Sequence, residues 1–285
     1  MPNAKQLTEN ILAEMAKVIV GQEDVLEKLI IAVLTKGHVL MEGVPGIAKT
    51  LMGRTLSLTL DASFTRIQFT PDLMPSDVIG TMVFDQNSGQ FAFRKGPVFT
   101  DVLLADEINR TPPKTQAALL EAMEERRISI EGAEYRLPQL FTVLATQNPI
   151  EYEGTYPLPE AQLDRFTFKL IVGYPDKYEE IELLKRFHGG FHSHELDAVG
   201  IKKVVSYDDV REVREEISGV KVDDSIIEYI NEIAQASRQE ENLLLGASPR
   251  AAITLLLVSK THAACKGRDF VIPDDVQELA YPTLR

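Results

Sequence analysis

Tryptophan is absent from this chain, cysteine occurs once, and no apolar stretch is long. The single thiol, Cys265, excludes a disulfide within the chain. Its neighbours Thr261-His262-Ala263-Ala264 read as the surface of a helix, so the thiol is structural rather than nucleophilic. The longest apolar runs, Leu29 to Leu34 and Ala251 to Val258, fall well short of the roughly 18 residues that span a bilayer, so no direct membrane insertion is expected. The N-terminus has no basic segment ahead of an apolar one, so no secretory signal is read and the expected location is cytoplasmic. Low-complexity tracts and internal repeats are missing too. Positive charge is scarce: 30 Lys and Arg face 43 Asp and Glu, a formal net charge of -13. Such a chain has no general attraction for nucleic acid or anionic lipid, and no nucleic acid partner is expected.

The rest of the composition is globular: 285 residues, 44% hydrophobic and 26% charged, enough for one large domain or two. Leu7, Ile11, Leu12 and Met15, then Val25, Leu26, Leu29, Ile30 and Val33, have helical spacing, with a break at Val20-Gly21. His38 to Met41 is apolar, short and bounded by glycines, and predicts a buried strand before a helix from Lys49 to about Leu58. Strands are also expected at Phe64 to Phe69, Val102 to Ala105, Phe141 to Ala145 and Phe166 to Val172, with a helix from Pro113 to about Glu125. Two hairpins are expected, around 83–93 and 128–137. Short apolar strands alternating with helices predict an α/β fold, a parallel sheet flanked by helices.

After Gly173-Tyr174-Pro175 nearly everything reads as helix: 176–187, 207–217, 223–237, 248–264 and 274–280. A domain boundary is placed near 173, giving a unit 1–173 and a helical unit 174–285. Residues 175–242 hold 17 acidic and 9 basic side chains, which read as a solvated helical face. The chain stops at Arg285 soon after a helix has begun, and a continuation beyond it is expected.

Three polar clusters carry the chemistry. Gly43-Val44-Pro45-Gly46-Ile47-Ala48-Lys49-Thr50 sits between a buried strand and a helix, and departs from the usual phosphate-loop pattern by alanine before the lysine. Glycines let backbone N–H groups turn towards a phosphate, and the helix from Lys49 through Leu51 offers its positive end. Lys49 would reach the β- and γ-phosphates of ATP, and the Thr50 hydroxyl would ligate Mg²⁺. An alanine at 48 is compatible with this loop only at an ordinary negative φ. Val102 to Ala105 ends in Asp106-Glu107, two carboxylates that are costly at the end of a buried strand unless used. Asp106 would hold Mg²⁺ and Glu107 would activate the attacking water. Asn148, after the strand at 141–145, is placed to meet the γ-phosphate or that water. All three clusters fall at carboxyl ends of strands, where open α/β sheets bind ligands.

Together these residues resemble the AAA+ ATPases, and within them the MoxR family, over nearly the whole chain. Gly43 to Thr50 matches that family's Walker A form, alanine included. Asp106 and Glu107 match Walker B, and Asn148 matches sensor 1. The run Glu153-Gly154-Thr155-Tyr156-Pro157-Leu158-Pro159-Glu160-Ala161-Gln162-Leu163-Asp164-Arg165-Phe166 is characteristic of MoxR proteins, and Arg165 matches the arginine finger. Arg250, in Gly246-Ala247-Ser248-Pro249-Arg250, matches sensor 2, and Val20-Gly21 matches the backbone that contacts adenine. The hairpins correspond to the helix-2 insert (about 81–95) and the pre-sensor-1 hairpin (about 126–137).

The resemblance implies an AAA+ core with a helical lid, assembly into a ring, usually a hexamer, and MgATP hydrolysis at its interfaces. It also implies chaperone-like remodelling of partner proteins, often ones with von Willebrand factor A domains. Two alternatives stay open: an ATP-gated scaffold or regulator with slow hydrolysis, and a DNA motor, against which the acidic charge argues. Whether Arg250 would act within its own subunit or across an interface is left open. Other polar features read as structural. His188, His192 and His194 flank Gly189-Gly190 in a loop, Arg126-Arg127 form a hairpin base that would contact a neighbour, and Lys114 is solvated.

Overall fold

The computed structural model describes residues 3–86, 89–149, 154–191 and 196–285, with the side chains of 197 and 198 left out. Helices α1 (Ala4–Met15) and α2 (Glu23–Leu34) come first, and Gly21 and Gln22 between them both take positive φ. Then follow β1 (Val39–Glu42), α3 (Lys49–Thr59), β2 (Phe64–Gln68), α4 (Pro75–Ile79) and the hairpin β3 (Gly80–Asp85) with β4 (Gln90–Lys95). Strand β5 (Val102–Asp106), α5 (Pro113–Glu125), the hairpin β6 (Arg127–Ile130) with β7 (Ala133–Arg136), β8 (Thr142–Gln147), α6 (Glu160–Leu163) and β9 (Phe168–Ile171) complete the α/β part. Helices α7 (Lys177–His188), α8 (Leu196–Val199), α9 (Tyr207–Ser218), α10 (Asp224–Gln239), α11 (Pro249–Cys265) and α12 (Pro273–Leu284) follow. Helices α5, α11 and α12 each start on the proline that suits a first turn.

Five parallel strands form one sheet in the order β2-β5-β8-β1-β9. Strand residues alternate between two apolar clusters, as a period of two requires. Val102, Leu104, Leu144 and Met41 join one cluster with α1, α2, α3 and the later helices. Leu103, Ala105, Val143 and Leu40 join the other with Leu119, Leu120 and Met123 of α5. Each fully buried Leu, Ile or Met contributes about 1.5–3 kcal/mol. The first cluster contains residues from both sides of position 173.

Helix ends tie the later helices to the earlier ones. The last carbonyls of a helix have no partner inside it. Arg214 of α9 donates to Val33 O (2.7 Å) and Leu34 O (3.2 Å) at the end of α2. Arg186 of α7 donates to Ala16 O (3.0 Å) and Lys17 O (3.1 Å) beyond α1. The architecture is an α/β core, a five-stranded parallel sheet flanked by helices, followed by a C-terminal run of helices.

Three short helices, α4, α6 and α8, were not expected, because four or five residues carry no readable period. Both hairpins form; the first pairs Gly80 with Lys95, more than its apolar residues alone marked, and positions 87 and 88 lie outside the described residues. Cys265 is a correction. It lies buried at the end of α11, not on a helix surface, and burial pushes its thiol up to about 12. Arg126 is used within the chain, donating from Nη1 to Phe141 O at 3.1 Å. Lys114 is exposed as expected, His188 is exposed on the last turn of α7, and His192 and His194 lie outside the described residues.

Candidate functional site

At the carboxyl ends of β1, β5 and β8 opens a cavity of about 760 Å³. Its lining includes Val20, Pro45, Gly46, Ile47, Ala48, Lys49, Thr50, Leu51, Asp106, Glu107 and Asn148, so folding joins residues up to 128 positions apart. Gly43 and Val44 lie just behind this wall. The Gly43 carbonyl accepts a hydrogen bond from Lys49 Nζ at 2.6 Å, and Val44 packs on the first apolar cluster. Gly21 follows Val20 at φ +70.

The loop's shape has local causes. A Cβ on Gly43 would lie 2.4 Å from Val172 O, so only glycine lets the loop pass β9. Gly46 takes φ +88 and faces open space. Ala48 corrects the expectation of a negative φ: it sits at φ +63 as the N-cap of α3. The chain turns from loop into helix through a left-handed step at this residue, and its Cβ makes that step cost about 1–2 kcal/mol. Lys49 Nζ also approaches Gln147 O at 3.5 Å, and burial lowers its pKa against the pull of Asp106, Glu107 and Glu42. A half-buried cation held by two carbonyls at the N-terminus of α3 suits a polyphosphate.

The carboxylates are held by groups that no motif announced. Arg66 on β2 reaches Asp106 Oδ2 through Nη2 at 2.6 Å and Nε at 3.0 Å. The Thr146 hydroxyl donates to Asp106 Oδ1 at 2.6 Å and accepts the Glu107 N–H at 2.9 Å. Glu107 takes φ +57, and its Oε2 accepts from Gln68 Nε2 (2.5 Å) and Arg110 Nη1 (3.1 Å). The signal for Arg66 and Gln68 lay in the alternation of β2, which puts these two on one face; the register then sets Gln68 opposite Asp106. Thr50 and Asp106, a hydroxyl and a carboxylate on one cavity wall, are oxygen donors of the kind Mg²⁺ takes.

Two of the proposed catalytic residues are not on this wall. Arg165 and Arg250 line a second cavity, of about 210 Å³, with Glu124 and Asp164. Both arginines are paired to Glu124 of α5: Arg165 Nε at 2.9 Å and Arg250 Nη2 at 3.1 Å. Asp164 accepts from the Ser248 hydroxyl at 2.8 Å. Gln116 fixes the intervening segment, donating to Ile108 O, Thr111 O and Tyr156 O.

Residues 38–168 match the profile of the ATPase family associated with various cellular activities (AAA), and 235–285 match the AAA lid domain. The chain is 49% identical to the uncharacterized protein YeaC of Bacillus subtilis (strain 168), over 94% of this chain and 82% of that one. It is 43% identical to chaperone MoxR1 of Mycobacterium tuberculosis (strain ATCC 25618 / H37Rv), over 97% of this chain and 74% of that one. A crystal structure assigned as an ATPase from Cytophaga hutchinsonii ATCC 33406 superposes with a TM-score of 0.88 at 46% identity, covering 99% of this chain and 86% of that one.

Proposed function

The chain belongs to the MoxR family of AAA+ ATPases, and from that premise we propose that it hydrolyses MgATP at the interfaces of a ring, a hexamer as is usual in the family, to remodel partner proteins. The cavity built by Lys49, Thr50, Asp106, Glu107 and Asn148 is the observation that carries this reading. The Gly46–Thr50 backbone and Lys49 bind and orient the phosphates. Thr50 and Asp106 hold Mg²⁺, which when bound neutralises charge shared by the β- and γ-phosphates. Glu107 takes the proton of the attacking water at its carboxylate, and Asn148 orients that water. Val20 and Gly21 border the adenine.

Arg165 and Arg250 lie apart from their own chain's cavity, which supports their acting on a neighbour's nucleotide. A head-to-tail contact of this kind closes into a ring when the rotation allows. The lid surface near Arg250 exposes Leu243, Leu244 and Leu245, an apolar patch suited to such a contact. The β3–β4 hairpin exposes Phe84 and Phe91, packed edge to face, as a surface for a partner protein, by family resemblance one with a von Willebrand factor A domain. The acidic chain and the cytoplasm as its location fit a protein client rather than nucleic acid.

The deciding experiment is the steady-state ATPase rate per subunit against protein concentration, for wild type and Arg165→Ala. A rate that climbs with concentration, and collapses by about 10³-fold or more in the variant, is the expected result. A flat rate, equal in the two proteins, would sink the finger in trans. The scaffold reading draws on one feature, the hold of Gln68 and Arg110 on Glu107. Glu107→Gln separates the two, since a scaffold keeps its action on a partner with ATP present and a remodeller loses it.

A further inference from the structure

We propose that Glu27 of α2, His262 of α11 and Glu278 of α12 form a divalent metal site, with a donor set suited to Zn²⁺, that pins the lid to the N-terminal helices. It lies outside the nucleotide cavity and does not depend on the reading of that cavity.

The centre of the site is a histidine with its ring held on one side. His262 is 3% exposed, and its Nδ1 lies 2.6 Å from Asp275 Oδ1. Arg268 donates to both oxygens of Asp275, at 2.7 and 2.6 Å, and the Ile272 N–H adds a third bond at 2.9 Å. The contact of Nδ1 with Asp275 fixes the ring's orientation and turns Nε2 the other way, towards Glu27 and Glu278. That Nε2 is buried and has no hydrogen-bond partner among the described residues.

Nε2 faces Glu278 Oε2 at 3.4 Å and Glu27 Oε1 at 3.9 Å, and the three ligand atoms lie within 4.8 Å of one another. An imidazole nitrogen and two carboxylates converging on one point form a donor set for a cation. Ligand atoms around a tetrahedral metal, at about 2.0–2.2 Å each, stand about 3.4 Å apart. The carboxylate behind the imidazole is the usual outer partner of a metal-bound histidine. One imidazole and two carboxylates favour Zn²⁺ over the oxygen-seeking Ca²⁺ and Mg²⁺. Cys265 is not among the residues that converge on the site.

One cation already competes. Lys266 Nζ lies 2.7 Å from Glu27 Oε1. A metal displaces that ammonium, so removing the lysine charge should tighten binding. A purely structural ion cluster predicts no metal effect from the same change.

The test titrates the full chain, free of nucleotide and Mg²⁺, with ZnCl₂ by calorimetry, and with Co²⁺ followed by its visible spectrum. The expected result is one equivalent bound, with the intense visible bands of four-coordinate Co²⁺. Glu278→Gln, at a half-exposed side chain that folding tolerates, should weaken binding by about 10- to 100-fold or more. Lys266→Met should strengthen it, and His188→Gln, on the surface of α7, should leave it unchanged. Absence of saturable binding, or binding equal in wild type, Glu278→Gln and His262→Gln, would overturn the proposal.

Discussion

Arg165, two residues beyond α6, and Arg250, in the first turn of α11, meet on a single carboxylate. Their guanidinium nitrogens lie 2.9 and 3.1 Å from the two oxygens of Glu124. One residue of α5 therefore sets the position of both arginines proposed to reach a neighbour's nucleotide.

Glu124 is thus expected to act as a positioning residue. Glu124→Gln keeps the shape but weakens the hold on both cations. A misplacement of about 1 Å in a catalytic group costs on the order of 10²-fold, so the rate per assembled subunit should fall by about 10- to 100-fold. Nucleotide affinity of the dilute chain should not move, because neither arginine lines its own cavity. An unchanged rate at saturating protein would show that Glu124 positions nothing catalytic.

Ala48 carries backbone strain that glycine would relieve. Its φ of +63 costs about 1–2 kcal/mol, while glycine loses about 0.5–1 kcal/mol through the entropy of the unfolded chain. Ala48→Gly should therefore raise the unfolding free energy by about 0.5–1 kcal/mol, read from urea denaturation of the nucleotide-free protein. A lower midpoint would mean that the alanine methyl packs favourably enough to offset its backbone.

Arg66 competes with the proposed Mg²⁺ for Asp106. Its side chain is half exposed, so the pair contributes at most about 1 kcal/mol, or roughly fivefold in an equilibrium constant. Arg66→Ala should lower the Mg²⁺ concentration needed for half-maximal nucleotide binding by up to about fivefold. A higher Mg²⁺ requirement would show that Arg66 helps to hold the phosphates instead.

The carboxyl ends of the strands were legible because fully buried strands are short, apolar and bounded by polar residues. The P-loop, Asp106-Glu107 and Asn148 follow directly from that contrast. Arg66, Gln68 and Thr146 were not legible as site residues, since a polar position on a strand gains meaning only through the strand beside it. Ala48 was misjudged because φ is set by the turn the chain must make, which residue type alone does not reveal. Glu124 was invisible for a related reason. It is one of several carboxylates at the end of a helix, and only the fold brings Arg165 and Arg250 to it.

His38 gives the fold a pH dependence of its own. Its Nδ1 accepts the Val143 N–H at 2.9 Å and its Nε2 faces Met123 O at 3.2 Å, an arrangement that needs the neutral ring. Burial, with Arg126 nearby, pushes its pKa from 6.5 down to about 3. The unfolded chain therefore takes up a proton that the folded chain refuses. The contribution is complete above about pH 6.5 and is lost as pH falls towards 3, by up to about 1.4 kcal/mol per pH unit. His38→Gln retains one acceptor and one donor but does not titrate. Urea unfolding of both proteins between pH 7.5 and 5 should show the variant less stable at pH 7.5, by about 1–3 kcal/mol if one bond is lost. The gap should narrow steadily as pH falls, because only the wild type pays the protonation penalty. A gap that stayed constant would mean that His38 is protonated in the folded protein, with the Val143 N–H bonded elsewhere.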